Sequence, residues 1–226
     1  MQKLLIWDFD GVIADTEHVA MKAWQQALQS YGINLSFNET VHCIMGTGQK
    51  LQLLNLQVYN DVLTAADIEQ INCEVNRKIQ DDLMLTEGIE DIFKMHNFAQ
   101  CIATGNSPEG IKARVKPLHL ERYFKPNQIF SASFVKYGKP EPDLFLYAAR
   151  QMGFAPKDCI VIEDSLAGLT AGLRASMKVV AYVEHSVLDI NAYIKEVKNI
   201  GIKHIFKNMA GLRNFLVTQS GEEIAQ

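Results

Sequence analysis

The segment KLLIWDFDG, residues 3–11, is the most informative part of the sequence about the architecture. Its first half, Lys3–Trp7, is a short and mainly apolar run that ends at Asp8, which is typical of a strand buried on both faces of a sheet. Five similar runs follow along the chain, at Gln100–Ala103, Ile129–Phe130, Cys159–Ile162, Val179–Tyr182 and His204–Phe206. Because helix-length segments separate these runs, the sequence predicts an α/β fold, a parallel sheet with helices on both faces.

The composition is that of a folded globular protein. Of 226 residues, 48% are hydrophobic and 21% are charged, which excludes disordered, collagen-like and coiled-coil classes. The net charge is −4 and the sequence has no run of five Lys or Arg residues, so nucleic acid is not an expected partner. The run Leu4–Trp7 is too short for a signal-peptide core or a membrane span, and we expect a cytoplasmic protein. The four cysteines have no metal-ligand spacing and are expected to be small buried residues.

A large insertion follows the first strand. Residues 8–99 separate the first two predicted strands, although a βαβ unit needs only about 30 residues. Helices are predicted in this interval at Glu17–Ser30, Gln49–Tyr59 and Thr64–Asp82. We therefore predict a small helical domain, residues 15–85, inserted into an α/β domain of residues 1–14 and 86–226. Six helices are expected to flank the sheet, at Gly88–Met95, Ser107–Leu118, Pro142–Met152, Leu166–Ala175, Leu188–Ile200 and Met209–Val217.

An acidic pair follows the first strand directly. Alternation along an extended segment puts Asp8 and Asp10 on the same side, with Phe9 turned away. Gly11 then permits a tight turn. Ligands of open parallel sheets bind beyond the carboxyl ends of the strands, which makes the pair a candidate site. The alternative is an acidic loop whose two carboxylates are incidental.

The second predicted strand ends at a candidate phosphate site. Thr104 closes the strand, and Ser107 with Pro108 is a typical N-cap and first residue of a helix. Free N–H groups at a helix start bind phosphate, so Gly105 and Asn106 are candidate substrate-binding residues. An ordinary strand end followed by a helix start would also explain this stretch.

A lysine and a second acidic pair complete the set of candidates. Lys139 stands in a loop stiffened by prolines, which holds its charge in place, although most lysines simply lie at the surface. Glu163 and Asp164 follow the fourth strand, where Asp164 or Ser165 could instead cap the next helix. Candidate polar or charged residues thus recur near the ends of four predicted strands, which argues against a chance arrangement. Clustered carboxylates cannot all stay ionised at low cost, which indicates a Mg²⁺ site.

These motifs resemble, in order and spacing, the four motifs of the haloacid dehalogenase-like (HAD) phosphatase superfamily, over essentially the whole chain. The matching residues are Asp8–Glu17, Thr104, Lys139-Pro140 and Glu163–Gly168. The resemblance implies a Rossmann-like core with a helical cap, as in the β-phosphoglucomutase-like and phosphoglycolate-phosphatase-like branch. It also implies a Mg²⁺-dependent phosphatase that acts on a small phosphorylated metabolite, such as a sugar phosphate, through an aspartyl-phosphate.

The resemblance assigns roles to individual residues. Asp8 would be the nucleophile and Asp10 the general acid and base. Thr104 would hydrogen-bond the phosphoryl oxygens, and Lys139 would offset the charge of Asp8 and of the phosphate. The Mg²⁺ ligands would be Asp8, Asp10 through its backbone carbonyl, Glu163 and Asp164.

The cap is expected to take part in substrate recognition. In the family, a glycine-containing cap segment contacts and recognises the leaving group of the substrate. The corresponding stretch here is Met45–Lys50. Gly46 and Gly48 would give this backbone freedom. The candidate substrate-binding side chains are Thr47, Gln49 and Lys50. The alternative is an ordinary turn between two helices.

Two departures from the mutase pattern favour a phosphatase. The family's mutases carry a His at the position of Ala20 and a basic residue at that of Gln49. A phosphomutase is the alternative function. A phospho-accepting signalling module resembling a response-regulator receiver is a further one, although receivers are much shorter and have no helical insertion. The sequence does not set the oligomeric state, and we expect a monomer.

Overall fold

The computed structural model describes residues 2–45 and 47–220. The chain divides into two compact units, one of Met1–Asp15 with Met84–Gln226 and the other of Thr16–Leu83. We call them the sheet unit and the helical unit. The strands are β1 (Lys3–Trp7), β2 (Phe98–Thr104), β3 (Ile129–Ser131), β4 (Cys159–Glu163), β5 (Lys178–Tyr182) and β6 (His204–Phe206). The helices are α1 (Thr16–Gln29), α2 (Phe37–Ile44), α3 (Gln49–Leu56), α4 (Ala65–Asp82), α5 (Ile89–Phe93), α6 (Pro108–Val115), α7 (Asp143–Met152), α8 (Leu166–Arg174), α9 (Ile190–Asn199) and α10 (Met209–Ser220).

The sheet unit is built on one parallel sheet with the strand order β3-β2-β1-β4-β5-β6. Side chains of the central strand β1 alternate between two buried layers. Leu4 and Ile6 pack with Phe145 of α7 in one layer. Trp7 belongs to the opposite layer, where its ring meets Phe93 of α5 edge-on, with the centroids 5.5 Å apart. All six predicted strands are present, and the predicted α/β fold is confirmed.

Over its described residues, 16–45 and 47–83, the helical unit contains four helices. Helix α1 packs against α2 and α4, and α3 also packs against α4. Buried residues of α4 recur at helical spacing, at Ile68, Ile71, Val75 and Ile79. The sequence did not predict α2, although it carries a signal: Ser36 and Glu39 form a capping box in which each side chain bonds the other's backbone N–H.

Several predicted details were wrong. Helix α3 ends at Leu56 rather than at Tyr59, and α6 ends at Val115 rather than at Leu118, because turns follow where a longer helix was expected. Cys101 and Cys159 are buried as predicted, but Cys73 is exposed on α4.

Over the two described ranges, no helix has both the length and the apolar character needed to cross a membrane.

The two chain segments that lead to and from the helical unit pair with each other inside the sheet unit. Ala14 and Leu85 form an antiparallel bridge. Next to it, the N–H of Thr86 donates to the carbonyl of Ile13 at 2.9 Å. The buried Thr86 hydroxyl donates to the carbonyl of Val12 at 2.7 Å.

His185 adds a side-chain contact to each of these segments. Because the hydroxyl hydrogen of Thr86 is already donated to Val12, Nε2 of His185 is the donor to Thr86 Oγ1, at 2.9 Å. The other ring nitrogen, Nδ1, lies 3.2 Å from Oδ2 of Asp15. One imidazole therefore bridges the outgoing segment at Asp15 and the returning segment at Thr86.

We predict that Thr86→Val destabilises the sheet unit. The substitution keeps the side-chain volume but leaves the Val12 carbonyl without its donor and His185 without its acceptor, a loss of about 1–3 kcal/mol in the free energy of unfolding. Urea unfolding followed by circular dichroism measures it. The control is Thr218→Val, which removes an exposed hydroxyl from α10 and should change stability by less than about 0.5 kcal/mol. Equal stability of the two variants would contradict this reading of the contact.

Candidate active site

Strand register brings the candidate residues to one edge of the sheet. Trp7 of β1 pairs with Ile162 of β4 on one side and with Ile102 of β2 on the other. Asp8 follows Trp7, and its N–H donates to the carbonyl of Ile162 at 2.9 Å. Glu163 follows Ile162 directly. Neighbouring parallel strands thus end at the same level, which places their terminal carboxylates side by side.

Lys139 joins the first and fourth strand ends. Its Nζ donates to Oδ1 of Asp8 at 2.7 Å and to Oε1 of Glu163 at 2.6 Å. The side chains are nearly enclosed, with exposed fractions of 12% for Lys139, 10% for Asp8 and 1% for Glu163. Ion pairs this buried are weakly screened by water, so the charges of Lys139, Asp8 and Glu163 act strongly on one another.

Three carboxylates converge beside this lysine. Oxygen atoms of Asp8, Glu163 and Asp164 all lie within 4.8 Å of one another. Two glycines make room for them. A Cβ on Gly11, whose φ is +74°, would lie 1.9 Å from Oδ2 of Asp164, and a Cβ on Gly168 would lie 1.7 Å from Oε1 of Glu163. The predicted turn at Gly11 is present, and only glycine fits there.

The charge balance of this cluster favours a bound cation. Three carboxylates face one ammonium group, which leaves two negative charges in excess when all are ionised. Burial raises the pKa of Asp8 to about 7, an effect that Lys139 reduces and that repulsion from Glu163 and Asp10 reinforces. Burial alone would lower the pKa of Lys139, but the attraction of Asp8 and Glu163 outweighs it and raises that pKa. An oxygen donor set with this charge fits a hard divalent ion.

A second network surrounds Asp10. Arg114 of α6 donates from Nη1 to Oδ1 of Asp10 at 2.5 Å. Asn106 donates from Nδ2 to Oδ2 of Asp10 at 2.6 Å and to Oγ1 of Thr104 at 2.9 Å. Asp10 and Thr104, predicted from separate strand ends, are therefore linked through one amide side chain.

The structure brings the predicted site residues of the sheet unit to one end of the sheet. Asp8, Glu163 and Asp164 share one cluster with Lys139. The Asp10 carboxylate belongs to the second network instead, while its backbone carbonyl stays the predicted metal ligand. Gly105 lies in an exposed turn between Thr104 and Asn106.

The predicted cap residues lie in the helical unit, and their role stays a prediction. Thr47 donates its hydroxyl to the carbonyl of Ile44 at 2.6 Å, as the end of a helix turn would require. Gln49 and Lys50 are exposed in the first turn of α3. Gly46 lies outside the described residues.

Sequence reasoning missed two kinds of residue at this end of the sheet. Arg114 is one, although Gly110 and Arg114 are four residues apart and so fall on one face of α6, the face that starts beside Asn106. Ser131 and Tyr193 hold backbone atoms: the Ser131 hydroxyl donates to the Asn106 carbonyl at 2.5 Å, and the Tyr193 hydroxyl donates to the Asp164 carbonyl. No local sequence pattern indicates these two contacts.

Several known proteins with similar sequences carry phosphatase names. Fructose-1-phosphate phosphatase YqaB of Escherichia coli (strain K12) is 29% identical over 178 residues, which cover 78% of this chain and 94% of that protein. Hexitol phosphatase A of the same organism is 30% identical over 188 residues, which cover 79% of this chain and 82% of that protein.

The fold and the family agree with these relatives. A solved HAD-family hydrolase from Deinococcus radiodurans R1, described with bound phosphate and sodium, superimposes with a TM-score of 0.85 at 23% identity, over 97% of this chain and 96% of that one. The sequence model of haloacid dehalogenase-like hydrolases matches residues 2–176. The chain therefore belongs to the haloacid dehalogenase-like hydrolase family.

Proposed function

We propose that this protein is a Mg²⁺-dependent phosphatase that hydrolyses a small sugar or polyol phosphate through an aspartyl-phosphate at Asp8. The observation that carries the proposal is the position of Asp8. Its carboxylate is held by Lys139 at 2.7 Å and stands in a cluster of three carboxylates at the carboxyl end of the central strand. The family membership supports the same reaction class.

In the proposed first half of the reaction, Asp8 is the nucleophile. One carboxylate oxygen of Asp8 attacks phosphorus and forms the new O–P bond, while the bond from phosphorus to the leaving oxygen breaks and that oxygen keeps the electron pair. Asp10 supplies the proton that makes the leaving group a neutral alcohol. Thr104 is the hydroxyl beside this pair, linked to Asp10 through Asn106.

In the second half, water takes the place of the alcohol. Asp10, now a carboxylate, accepts a proton from the water while the water oxygen attacks phosphorus. The bond between phosphorus and the Asp8 oxygen breaks, which restores the Asp8 carboxylate and releases inorganic phosphate. The same side chain thus serves as acid and then as base, as a covalent route with two steps requires.

Charge neutralisation is the main demand on the site. A carboxylate and one phosphate charge about 4 Å apart repel by about 4 kcal/mol at an effective dielectric constant of 20. Lys139 offsets part of this repulsion through its direct contact with Asp8. When bound by Asp8, Glu163, Asp164 and the Asp10 carbonyl, Mg²⁺ would supply the remaining positive charge.

The proposed substrate class rests on the names of the relatives. One is named for fructose 1-phosphate and another for hexitols, which points to a phosphate ester of a six-carbon sugar or sugar alcohol. A mutase is less well supported, because Ala20 stands where the family's mutases carry a His. The nearby His18 stacks on Phe37 within the helical unit, with the centroids 5.4 Å apart. The hydroxyls of the substrate would be hydrogen-bonded by the candidate cap residues Thr47, Gln49 and Lys50.

We predict that the protein hydrolyses p-nitrophenyl phosphate and hexose or hexitol phosphates only with Mg²⁺. Asp8→Asn should lower kcat by at least about 10³-fold, because the nucleophile is lost. Asp91→Asn, an exposed aspartate of α5, is the matched control and should keep full activity. Borohydride reduction of the working enzyme, followed by mass spectrometry, should locate the acyl phosphate at residue 8. Undiminished turnover by Asp8→Asn would overturn the nucleophile assignment.

We also predict that Mg²⁺ binds more tightly as the pH rises through the pKa of Asp8, which is about 7. Below this pH a proton on Asp8 competes with the cation, so affinity should fall by up to about tenfold per pH unit, and above it affinity should level off. Calorimetric titration of chelator-treated protein between about pH 5.5 and about pH 8.5 measures this. In Asp8→Asn the dependence assigned to this group should disappear. A constant affinity over this range would contradict the prediction.

A further inference from the structure

The Asp10 carboxylate is held on both of its oxygens. Oδ1 accepts from Nη1 of Arg114 at 2.5 Å, and Oδ2 accepts from Nδ2 of Asn106 at 2.6 Å. The same Nη1 also donates to Oδ1 of Asn106 at 2.9 Å. Arg114, Asn106 and Asp10 thus form a closed triangle of hydrogen bonds, in which one guanidinium nitrogen orients both of the other side chains.

The triangle extends to the second strand end. Asn106 shares its Nδ2 group between Asp10 and Oγ1 of Thr104, at 2.6 and 2.9 Å. The Asn106 carbonyl in turn accepts from the hydroxyl of Ser131 on β3 at 2.5 Å. Arg114 therefore lies at the end of a chain of contacts that reaches both the proposed proton donor and the proposed phosphoryl-binding hydroxyl.

The geometry of α6 explains how Arg114 reaches these groups. Side chains of a helix point toward its N-terminus, and residues four apart lie above one another. Gly110 and Arg114 share one face of α6 in this way, and Asn106 lies just before the helix, where a Cβ on Gly110 would be 3.8 Å from its Cβ. Gly110 has no side chain, so none lies on this face between the arginine and Asn106. Arg114 is mostly enclosed, with 17% of its side chain exposed, as against 34% for that of Asp10.

We propose that Arg114 is a positioning residue, one that fixes Asp10 in the orientation needed to transfer a proton to the leaving group. The inference rests on the proposed function. The planar guanidinium directs two hydrogens of Nη1 at two acceptors, which a lysine ammonium matches less well. Because the charged Arg114 holds Oδ1 and only the neutral amide of Asn106 holds Oδ2, Oδ2 is the oxygen that would carry the transferred proton.

The test compares esters whose leaving groups differ in their need for a proton. p-Nitrophenolate departs without protonation, whereas a sugar alkoxide does not. Arg114→Ala should therefore lower kcat/KM about 10- to 100-fold for a hexitol phosphate, as part of the roughly 10²- to 10⁴-fold typical of acid and base catalysis. For p-nitrophenyl phosphate the loss should be less than about threefold. KM should change little, because Arg114 acts through Asp10.

Matched variants separate positioning from a general structural effect. Lys112→Ala removes a positive charge from the same last turn of α6 and should leave both esters unaffected. Arg114→Lys should recover part of the loss on the hexitol phosphate. Combining Arg114→Ala with Asp10→Asn should cost no more than Asp10→Asn alone, since both changes remove the same proton transfer.

The outcomes are distinguishable. Equal losses on both esters, or full additivity with Asp10→Asn, would overturn the positioning role and leave the proposed function intact. A wild-type protein that hydrolyses neither ester with Mg²⁺ would overturn both proposals. If Arg114→Ala no longer unfolds cooperatively, the test uses Arg114→Lys instead. The measured quantity is then the ratio of kcat/KM for the hexitol phosphate to kcat/KM for p-nitrophenyl phosphate. A ratio equal to that of the wild-type protein would falsify the inference.

Discussion

The contact of Lys139 with both Asp8 and Glu163 is the interaction on which the site depends. It places one buried ammonium between two carboxylates from adjacent strands, at 2.7 and 2.6 Å. Without it, two enclosed negative charges would face each other where the strands end, at a cost of several kcal/mol. The register of β1 and β4 fixes the distance between these strands. The lysine therefore stabilises an arrangement that the sheet imposes, and its charge reduces the rise in the pKa of Asp8 that burial causes.

Much of the sheet unit could be predicted because its signals are local. Strands such as Lys3–Trp7 and Cys159–Glu163 are apolar runs bounded by acidic residues, and the N-cap Ser107 with Pro108 marks the start of α6. The helical unit was predicted less completely. Helix α2 is only eight residues long, too short for a helical repeat of apolar residues to stand out in the sequence. Helix ends depend on tertiary packing, which explains why α3 and α6 stop early.

The candidate site shows the same division. Thr104 and Glu163 end their strands, Asp8 follows β1 directly and Lys139 lies in the loop after β3, so a parallel sheet alone predicts that they share one edge. Arg114 follows no strand and reaches Asp10 across 104 residues of sequence. Its contact depends on where α6 lies relative to the loop after β1, which a linear pattern does not encode. The Ser131 and Tyr193 hydroxyls, which hold backbone carbonyls, are hidden for the same reason.

The bridge between Ala14 and Leu85 has a consequence for how this fold can vary. Because the departing and returning segments are hydrogen-bonded to each other, the sheet unit does not need the inserted residues to hold these two segments together. A short turn or a domain of any size would leave β1, β2 and the residues beyond them undisturbed. The sheet unit and the inserted helices are thus separable modules, and the inserted segment could change in length or sequence while the ends of β1 and β4 keep their places.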